Sequence, residues 1–186
     1  IVGVNIGKNK ITPNTEALHD YMKGLRRFYN IADYITVNVS SPNTSGLREL
    51  QSPEYARKLI SPLMKERAIL SHQYEKIVPI AVKLDPDMQR DQIMALAELF
   101  LELKIDAVIA TNTTVSRNKV QDHKLSQELG GLSGTPLHSQ SNDAIHNFKN
   151  SLNDEIPIIG VGGILSKKDA EEKIEVKEKI SIRFDL

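Results

Sequence analysis

The chain has 186 residues, of which 40% are hydrophobic and 26% charged, and its 24 Lys and Arg residues balance its 24 Asp and Glu residues. This composition is typical of a globular protein, and the balanced charge argues against a nucleic-acid partner. The absence of Cys excludes disulfides, thiolate metal sites and a Cys nucleophile. No apolar run approaches the roughly 18 residues of a membrane span, and we expect no signal peptide. Because Ile1 already lies in a predicted strand, we expect a fragment.

Five apolar, β-branched runs predict strands, and segments with helical spacing of apolar residues follow them. The predicted strands are residues 1–5, 34–39, 77–84, 105–111 and 156–163. The predicted helices are residues 14–29, a second stretch from Ser52-Pro53 to about Leu70, and residues 89–103 and 139–150. Pro62 lies inside the second helix and is predicted to kink or split it.

The end of the chain has a different character. Lys and Glu dominate from Lys167 to Lys179, which predicts a solvated helix. We do not expect the residues from Glu175 onward to form a strand.

Apolar strands that alternate with helices indicate parallel βαβ units with both faces of the sheet covered. Polar or glycine residues follow each predicted strand, and in (β/α) barrels the carboxyl ends of the strands carry the active site. Five strands are too few for a complete eight-stranded barrel. The pattern alone therefore leaves a doubly wound sheet open as the alternative.

The uncharged stretch from Asn38 to Thr44 follows the second predicted strand and contains two amides and several hydroxyls. Such groups both donate and accept hydrogen bonds, which suits a planar polar ligand such as a pyrimidine or a flavin. The simpler interpretation is a turn in which Asn and Ser side chains bond to the backbone.

Lys83 is the sharpest single signal, because it lies in an apolar strand and a buried cation should meet an anion or an electron-rich acceptor. A lysine at a strand end can also extend into solvent. Ser133-Gly134 and Gly162-Gly163 offer backbone N–H groups to a phosphate, although paired glycines also form ordinary turns. The long polar loop that ends at Gly130 is predicted to be functional.

Other polar residues are predicted to be structural. Asp85 and Asp87 flank Pro86 and are predicted to be turn residues. The histidines show no ligand spacing, so we predict no metal site and take all five to be surface residues. They are His19, His72, His123, His138 and His146.

Six blocks in order resemble the dihydroorotate dehydrogenase family, in its class 2, quinone-reducing type. The blocks are VNIGKN at 4–9, VNVSSPNT at 37–44, VK at 82–83, TNTT at 111–114, GGLSG at 130–134 and GVGG at 160–163. Class 1 relatives use a cysteine where Ser41 stands, and this chain has none. The resemblance runs from Ile1 to about Ile174.

The resemblance implies an α/β fold, a (β/α)₈ barrel of which strands three to seven are present. Residues 1–174 would form a partial FMN-binding barrel domain and residues 175–186 a divergent C-terminal tail. The implied reaction is the oxidation of dihydroorotate to orotate in pyrimidine biosynthesis, with FMN as hydride acceptor and quinone as final electron acceptor. The full-length protein would bind peripherally to the bacterial or mitochondrial inner membrane through an N-terminal segment that precedes Ile1.

The resemblance also implies the roles of the strand-end residues. Ser41 would be the base that removes the C5 proton of dihydroorotate. The residues that would hold the substrate are Asn38, Asn43, Asn112 and Thr113. The residues that would hold FMN are Asn5, Asn38, Lys83, Thr111, Ser133, Gly134, Gly162 and Gly163.

The sequence departs from the family near its C-terminus. The family's eighth strand carries a Tyr-Ser or Tyr-Thr pair for the FMN phosphate, and residues 175–186 lack it. A frameshift or a premature end would account for this. One alternative function is therefore an inactive truncated barrel that does not retain FMN. Another is a different flavin-dependent pyrimidine reductase, although Ser41 counts against it because those enzymes resemble the cysteine type.

Overall fold

The structure, a computed structural model, describes residues 1–175 and 180–182. Its strands are β1 (Gly3–Ile6), β2 (Tyr34–Asn38), β3 (Ile80–Leu84), β4 (Ala107–Ala110), β5 (Ile158–Gly160) and β6 (Ile180–Ile182). Its α-helices are α1 (Ala17–Phe28), α2 (Pro53–Tyr74), α3 (Arg90–Leu103), α4 (His138–Leu152) and α5 (Lys167–Glu175). Short 3-10 helices cover Asn14–Glu16, Leu47–Gln51 and Thr135–Leu137.

The six strands form one sheet in the order β1-β2-β3-β4-β5-β6, and each neighbouring pair is parallel. The predicted parallel arrangement of the first five strands in sequential order is therefore confirmed. A doubly wound sheet reverses its strand order at a switch point, whereas a barrel wall keeps sequential order. The observed order is that of a barrel wall.

The strands bury their two faces differently, because successive side chains point to opposite faces. Val37, Val82 and Val108 are fully buried in the main core between the sheet and the helices. A separate small cluster contains Ala81 and Ile109, together with Val161. We call the face that carries this cluster the inner face. This face has few apolar residues, and the polar side chains at the ends of β2 and β3 lie on it.

The second helix begins where the sequence predicts. Ser52 is its N-cap and accepts a hydrogen bond from the Tyr55 amide at 3.5 Å, and Pro53 occupies the first turn. The helix continues through Pro62 to Tyr74 as one element, so the predicted split does not occur. Leu59 and Leu63, on either side of Pro62, are both buried in the same core and hold the two halves of the helix against it.

The expectation for the C-terminal residues was wrong. Residues 180–182 form β6, which pairs in parallel with β5 through Ile158↔Ile180 and Gly160↔Ile182. The charged run before them conceals a short Ile-Ser-Ile segment whose β-branched residues favour a strand. The frameshift interpretation thereby loses its main structural support. The rest of the predicted tail, residues 176–179 and 183–186, lies outside the described residues.

The helix α5 is also less solvated than predicted, because Lys173 is fully buried and Ala170 is 9% exposed. Within residues 1–175, none of the helices is long and apolar enough to span a bilayer.

Candidate active site

The strands β2, β3 and β4 bring their carboxyl ends together at one edge of the sheet. Asn38 is in register with Lys83, and the Asn112 amide donates to the Leu84 carbonyl at 2.7 Å. Asn38 and Lys83 alternate with buried core residues and therefore lie on the inner face. Three residues that are distant in the sequence thus meet because the strands are parallel and adjacent.

A buried hydroxyl links the amides at this edge. Asn112 Nδ2 donates to Ser40 Oγ at 3.1 Å and lies 3.3 Å from Asn38 Oδ1. Ser40 is fully buried, and its hydroxyl lies 2.7 Å from the Lys83 carbonyl, to which it can donate. The Asn38 oxygen also accepts from the Ser40 amide at 3.2 Å. These bonds fix both amide side chains in one orientation, with Asn38 Nδ2 turned away from the network.

Ser41 follows this network in a partly exposed loop. Its Oγ accepts a hydrogen bond from the Asn43 amide at 3.3 Å, and Asn43 itself is exposed. A hydrogen bond donated to an oxygen favours negative charge on that oxygen. Because Ser41 is partly exposed, a ligand can reach its hydroxyl. The hydrogen bond from the Asn43 N–H would support removal of a proton by Ser41 Oγ.

Two further predicted residues lie elsewhere along the sheet, one on β1 and one directly after β4. Asn5 is exposed on β1, in register with Thr36 of β2. Thr111 is 1% exposed, its amide donates to the Val161 carbonyl at 3.0 Å, and its hydroxyl donates to the Asn112 carbonyl at 2.9 Å. Thr111 therefore ties the end of β4 to the end of β5.

Gly162 and Gly163 form a buried turn after β5, with φ of 111° and 70°. A Cβ on Gly163 would lie 2.6 Å from His138 Cα and 2.7 Å from His138 N, so this turn is pressed against the first residue of α4. Neither glycine amide donates a hydrogen bond to any residue that the structure describes. Glycine is required here because a side chain would clash with the start of α4, and the two N–H groups are left available to a ligand.

His138 holds this turn from behind, so its prediction as a surface residue was wrong. One ring nitrogen, Nδ1, is 2.9 Å from the Gly163 carbonyl, and the other, Nε2, is 2.8 Å from a Glu172 carboxylate oxygen. The His138 side chain is only 17% exposed. Its position at the start of α4, packed against a glycine turn, could not be predicted from ligand spacing.

The loop after β4 returns to the site. Thr114 and Leu132 form an antiparallel bridge, with mutual backbone hydrogen bonds of 2.8 and 3.1 Å, that brings the two ends of the loop together. A Cβ on Gly131 would lie 1.7 Å from Thr113 Oγ1, so the loop contacts the predicted substrate residue directly. The loop and the Ser41 loop share a cleft of about 680 Å³, lined in part by Asn43 and Arg117.

Ser133 and Gly134 lie between this bridge and the 3-10 helix Thr135–Leu137. Gly134 has φ of 75°, and its carbonyl accepts from the Leu137 amide at 3.0 Å. Ser133 is exposed and forms no hydrogen bond with another described residue. The structure therefore brings together the residues after β2, β3 and β4 by direct contacts, and leaves Ser133 outside that network.

A sequence profile described as dihydroorotate dehydrogenase matches residues 1–176. The chain belongs to the dihydroorotate dehydrogenase family. A relative in Methylobacillus flagellatus named dihydroorotate dehydrogenase (quinone) is 48% identical over 175 residues, which is 94% of this chain and 52% of the relative. One in Xanthomonas euvesicatoria with the same name is 51% identical over 174 residues, 94% of this chain and 50% of the relative. The chain spans about half the length of these relatives.

Solved structures of dihydroorotate dehydrogenase from Eimeria tenella have the same fold. The complex with ferulenol superposes with a TM-score of 0.89 at 34% identity, over 98% of this chain and 52% of that one. The ligand-free form gives a TM-score of 0.90 at 33% identity, over 100% of this chain and 54% of that one. The expected fold, an incomplete (β/α)₈ barrel of this family, is confirmed.

Sequence reasoning missed one part of this family member's strand-end face, namely Arg48 and its partners. Asp85 does cap a turn, because its Oδ1 accepts the Asp87 amide at 2.7 Å. The Asp87 carboxylate, however, pairs with Arg48 Nη1 at 2.7 Å and is only 20% exposed. The interpretation of Asp87 as a simple turn residue is therefore incomplete. No periodicity in the sequence indicates that a residue of the 3-10 helix Leu47–Gln51 reaches the next loop.

The second missed residue is Lys173 on α5. Its Nζ donates to Ser141 Oγ at 3.0 Å and to Asn142 Oδ1 at 2.6 Å, and Ser141 Oγ donates to the Val161 carbonyl at 2.6 Å. Burial lowers the pKa of Lys173 to about 8, while Asp169 and Glu172 oppose that shift. This chain of bonds supports the residue that precedes Gly162.

Proposed function

We propose that this chain is the part of a quinone-dependent dihydroorotate dehydrogenase that carries the catalytic serine and most of the substrate-binding amides. The observation that carries the proposal is the network of Asn38, Ser40 and Asn112 beside the Ser41 loop, in a chain about half identical to relatives named dihydroorotate dehydrogenase (quinone). Fixed amides and hydroxyls, with no carboxylate among them, suit the amide edges and the carboxylate of a dihydropyrimidine acid.

The flavin is proposed to be FMN, and the residues present fit its groups. The inner face offers Lys83 and Thr111 beside uncharged strand ends, which suits an electron-rich heteroaromatic ring. The backbone N–H groups of Gly162 and Gly163 donate to no described residue, which suits the phosphate. Asn5, Asn38, Ser133 and Gly134 complete the proposed FMN set. FMN, when bound, supplies the acceptor for the hydride that leaves C6 of dihydroorotate.

Ser41 is proposed to take the proton from C5, so that loss of this proton and of the C6 hydride leaves the C5=C6 double bond of orotate. A serine hydroxyl is a weak base near neutral pH and needs both stabilisation and a path for its own proton. The Asn43 amide, which donates to Ser41 Oγ, supplies stabilisation. The partial exposure of Ser41 permits a path to water, with Thr44 or another threonine as the proposed relay.

Asn38, Asn43, Asn112 and Thr113 are proposed to hold the substrate. Because Asn112 Oδ1 accepts the Thr113 amide at 2.8 Å and its Nδ2 group bonds to Ser40, the orientation of the Asn112 side chain is set before a ligand arrives. A site whose groups are already oriented loses less conformational entropy when it binds.

Quinone is proposed as the final electron acceptor, on the basis of the relatives' name. Since quinones of this kind reside in membranes, we propose that the full-length protein acts at the bacterial or mitochondrial inner membrane as a peripheral protein. An anaerobically reduced sample should be reoxidised by a short-chain ubiquinone much faster than by fumarate or NAD⁺. Equal rates with fumarate would contradict the quinone assignment.

The test of the reaction is anaerobic mixing of dihydroorotate with a flavin-loaded, full-length barrel that contains this chain. We expect loss of flavin absorbance with matching formation of orotate. Dihydrouracil, which lacks the carboxylate, is the matched control and should reduce the flavin at least about a hundredfold more slowly. Faster reduction by dihydrouracil would instead favour a different pyrimidine reductase.

One observation favours a second candidate, an inactive product. The described sheet ends at β1 and β6 and does not close, and open sheet edges pair with other chains. If the 186 residues act without further strands, we predict oligomers or aggregates that retain little FMN. Size-exclusion chromatography with flavin quantification tests this, and a monomer with equimolar FMN would contradict it.

A further inference from the structure

The Arg48 side chain contacts all three loops that build the proposed substrate site. Its Nε donates to the Ser40 carbonyl at 3.3 Å, its Nη1 to Asp87 Oδ2 at 2.7 Å and its Nη2 to the Thr113 carbonyl at 2.9 Å. Ser40, Asp87 and Thr113 follow β2, β3 and β4 respectively. One guanidinium therefore connects three consecutive strand-end loops.

Both carbonyls that Arg48 binds belong to segments with proposed chemical roles. Ser40 precedes Ser41 directly, so a bond to its carbonyl fixes the peptide that leads into the proposed base. The backbone N–H of Thr113 donates to Asn112 Oδ1 and so orients the Asn112 side chain. A bond to the Thr113 carbonyl therefore holds the residue that sets this orientation. Arg48 thus connects the segment of the proposed base with the segment of the amides that would hold the substrate.

Asp87 makes this connection rigid. Besides Arg48, its carboxylate accepts hydrogen bonds from the Thr114 hydroxyl, from the Val115 amide at 3.0 Å and from Gln140 Nε2 at 2.7 Å. Burial alone would raise the pKa of Asp87, but these hydrogen bonds lower it overall. A charged, multiply bonded carboxylate holds the guanidinium in one place.

Asp85 and Gln51 support the other side of the arginine. Asp85 Oδ2 lies 3.6 Å from Arg48 Nε, and Gln51 both donates to that carboxylate and accepts the Asp85 amide at 3.0 Å. The planar, forked donor set of arginine can satisfy three separated acceptors together, whereas the single ammonium of lysine cannot. A cleft of about 300 Å³ beside Arg48 makes this position accessible to a small cation.

We propose that Arg48 is a positioning residue that clamps the loops after β2, β3 and β4, and so sets the geometry between Ser41 and the substrate-binding amides. Its catalytic consequence rests on the proposed dehydrogenase function, whereas the clamp itself does not. Arg48 is assigned a positioning role because each of its three nitrogen atoms donates to an acceptor in one of the loops.

The experiment compares Arg48→Ala, Arg48→Lys and wild type in a full-length barrel that contains this chain. Hydrogen exchange is measured for peptides over residues 39–46 and 111–116, together with the rate of reduction by dihydroorotate per bound flavin. We expect faster exchange in both peptides of Arg48→Ala and a rate lower by about 10- to 100-fold, the scale of a small misplacement. Flavin content should change less than about twofold.

Two controls separate positioning from general stability. Arg57→Ala removes an exposed ion pair between Arg57 of α2 and Glu102 of α3 and should change neither exchange nor rate. Guanidinium ion at low, non-denaturing concentration should restore part of the rate to Arg48→Ala, with saturation, and should not affect Arg57→Ala. Arg48→Lys should recover less than half of the loss.

The outcomes decide the two claims separately. Unchanged exchange in both peptides of Arg48→Ala would overturn the clamp, and faster exchange with a wild-type rate would overturn its positioning role. If wild-type protein is not reduced by dihydroorotate, the proposed function fails. In that case, faster exchange confined to the two peptides of Arg48→Ala would still support the clamp. Unchanged exchange in both peptides would still reject the clamp.

Discussion

The loops after β2–β4 and the turn after β5 present polar groups to the same edge of the sheet, but they are built differently. The first region is organised by side chains, with Asn38, Ser40 and Asn112 bonded to one another. The second presents bare backbone at Gly162 and Gly163. A region made of side chains selects a ligand by its hydrogen-bond pattern, and one made of backbone selects it by close approach.

The two regions are also supported differently. Arg48 clamps the first from within the loop layer, through carbonyl groups and Asp87. Side chains of α4 and α5 hold the second from behind, through His138 and through Lys173 by way of Ser141. The comparison implies that changes at Ser41 or Arg48 should alter catalysis at nearly constant flavin content, whereas changes in the glycine turn should alter flavin binding and stability.

The largest expected effect is that of Gly163→Ala. The new methyl group would meet the His138 backbone at 2.6 Å in a residue with φ of 70°, so the turn must move. We expect a loss of about 2 kcal/mol or more in free energy of unfolding, and at least a hundredfold weaker FMN binding in a flavin titration. Gly7→Ala is the control, since its Cβ would make only an ordinary 3.8 Å contact. Normal FMN affinity in Gly163→Ala would break the comparison.

Lys83→Ala tests the residue that lies between the two regions. Because Lys83 is proposed to stabilise negative charge on the reduced flavin, its loss should slow reduction by dihydroorotate about 10- to 100-fold and weaken FMN binding as well. The exposed Lys65→Ala on α2 is the control. A change in the rate of reduction alone would assign Lys83 to the first region, and a change in FMN binding alone would assign it to the second.

The smallest expected effect concerns the support behind the glycine turn. Burial lowers the pKa of Lys173 to about 8 from 10.5 in the unfolded chain, so between these values the unfolded state binds a proton that the folded state does not. Stability from this group is therefore lost as pH falls through about 8 and gained as pH rises.

In urea unfolding, wild type should gain about 1 kcal/mol relative to Lys173→Met between roughly pH 7.5 and pH 9. The Lys173→Met variant serves as the reference for wild type, because the groups that the two proteins share cancel in the difference. If the difference in free energy of unfolding between wild type and Lys173→Met stays constant with pH, the pKa of Lys173 is the same in the folded and unfolded states. That result would contradict the burial of its ammonium group.

Much of the fold could be predicted because it is encoded locally. The strand β3 is apolar apart from Lys83, and α3 has both an apolar stripe and a capping box between Gln89 and Gln92. Because the strands are parallel and adjacent, Asn38, Lys83 and Asn112 at their carboxyl ends must then meet at one edge of the sheet. The strand β6 was missed because a charged segment precedes it and only three residues form it.

The supporting residues of the site could not be predicted for a physical reason. Arg48 and Asp87 are far apart in sequence, and their pairing depends on how a short 3-10 helix packs over the next loop. Lys173 lies in a charged stretch typical of a solvated helix, and only tertiary packing shows that its ammonium is buried. Periodicity reports which face of an element is apolar, and it carries no information about which polar side chains meet.

The most direct test of the central claim, that Ser41 is the base of a dihydroorotate dehydrogenase site, is anaerobic stopped-flow reduction of Ser41→Ala by dihydroorotate. We predict reduction slower by roughly 10² or more, with FMN content and orotate affinity close to those of wild type, because the amides remain. Ser45→Ala, an exposed neighbour in the same loop, should behave as wild type. Near wild-type reduction by Ser41→Ala would remove Ser41 from the role and contradict the account.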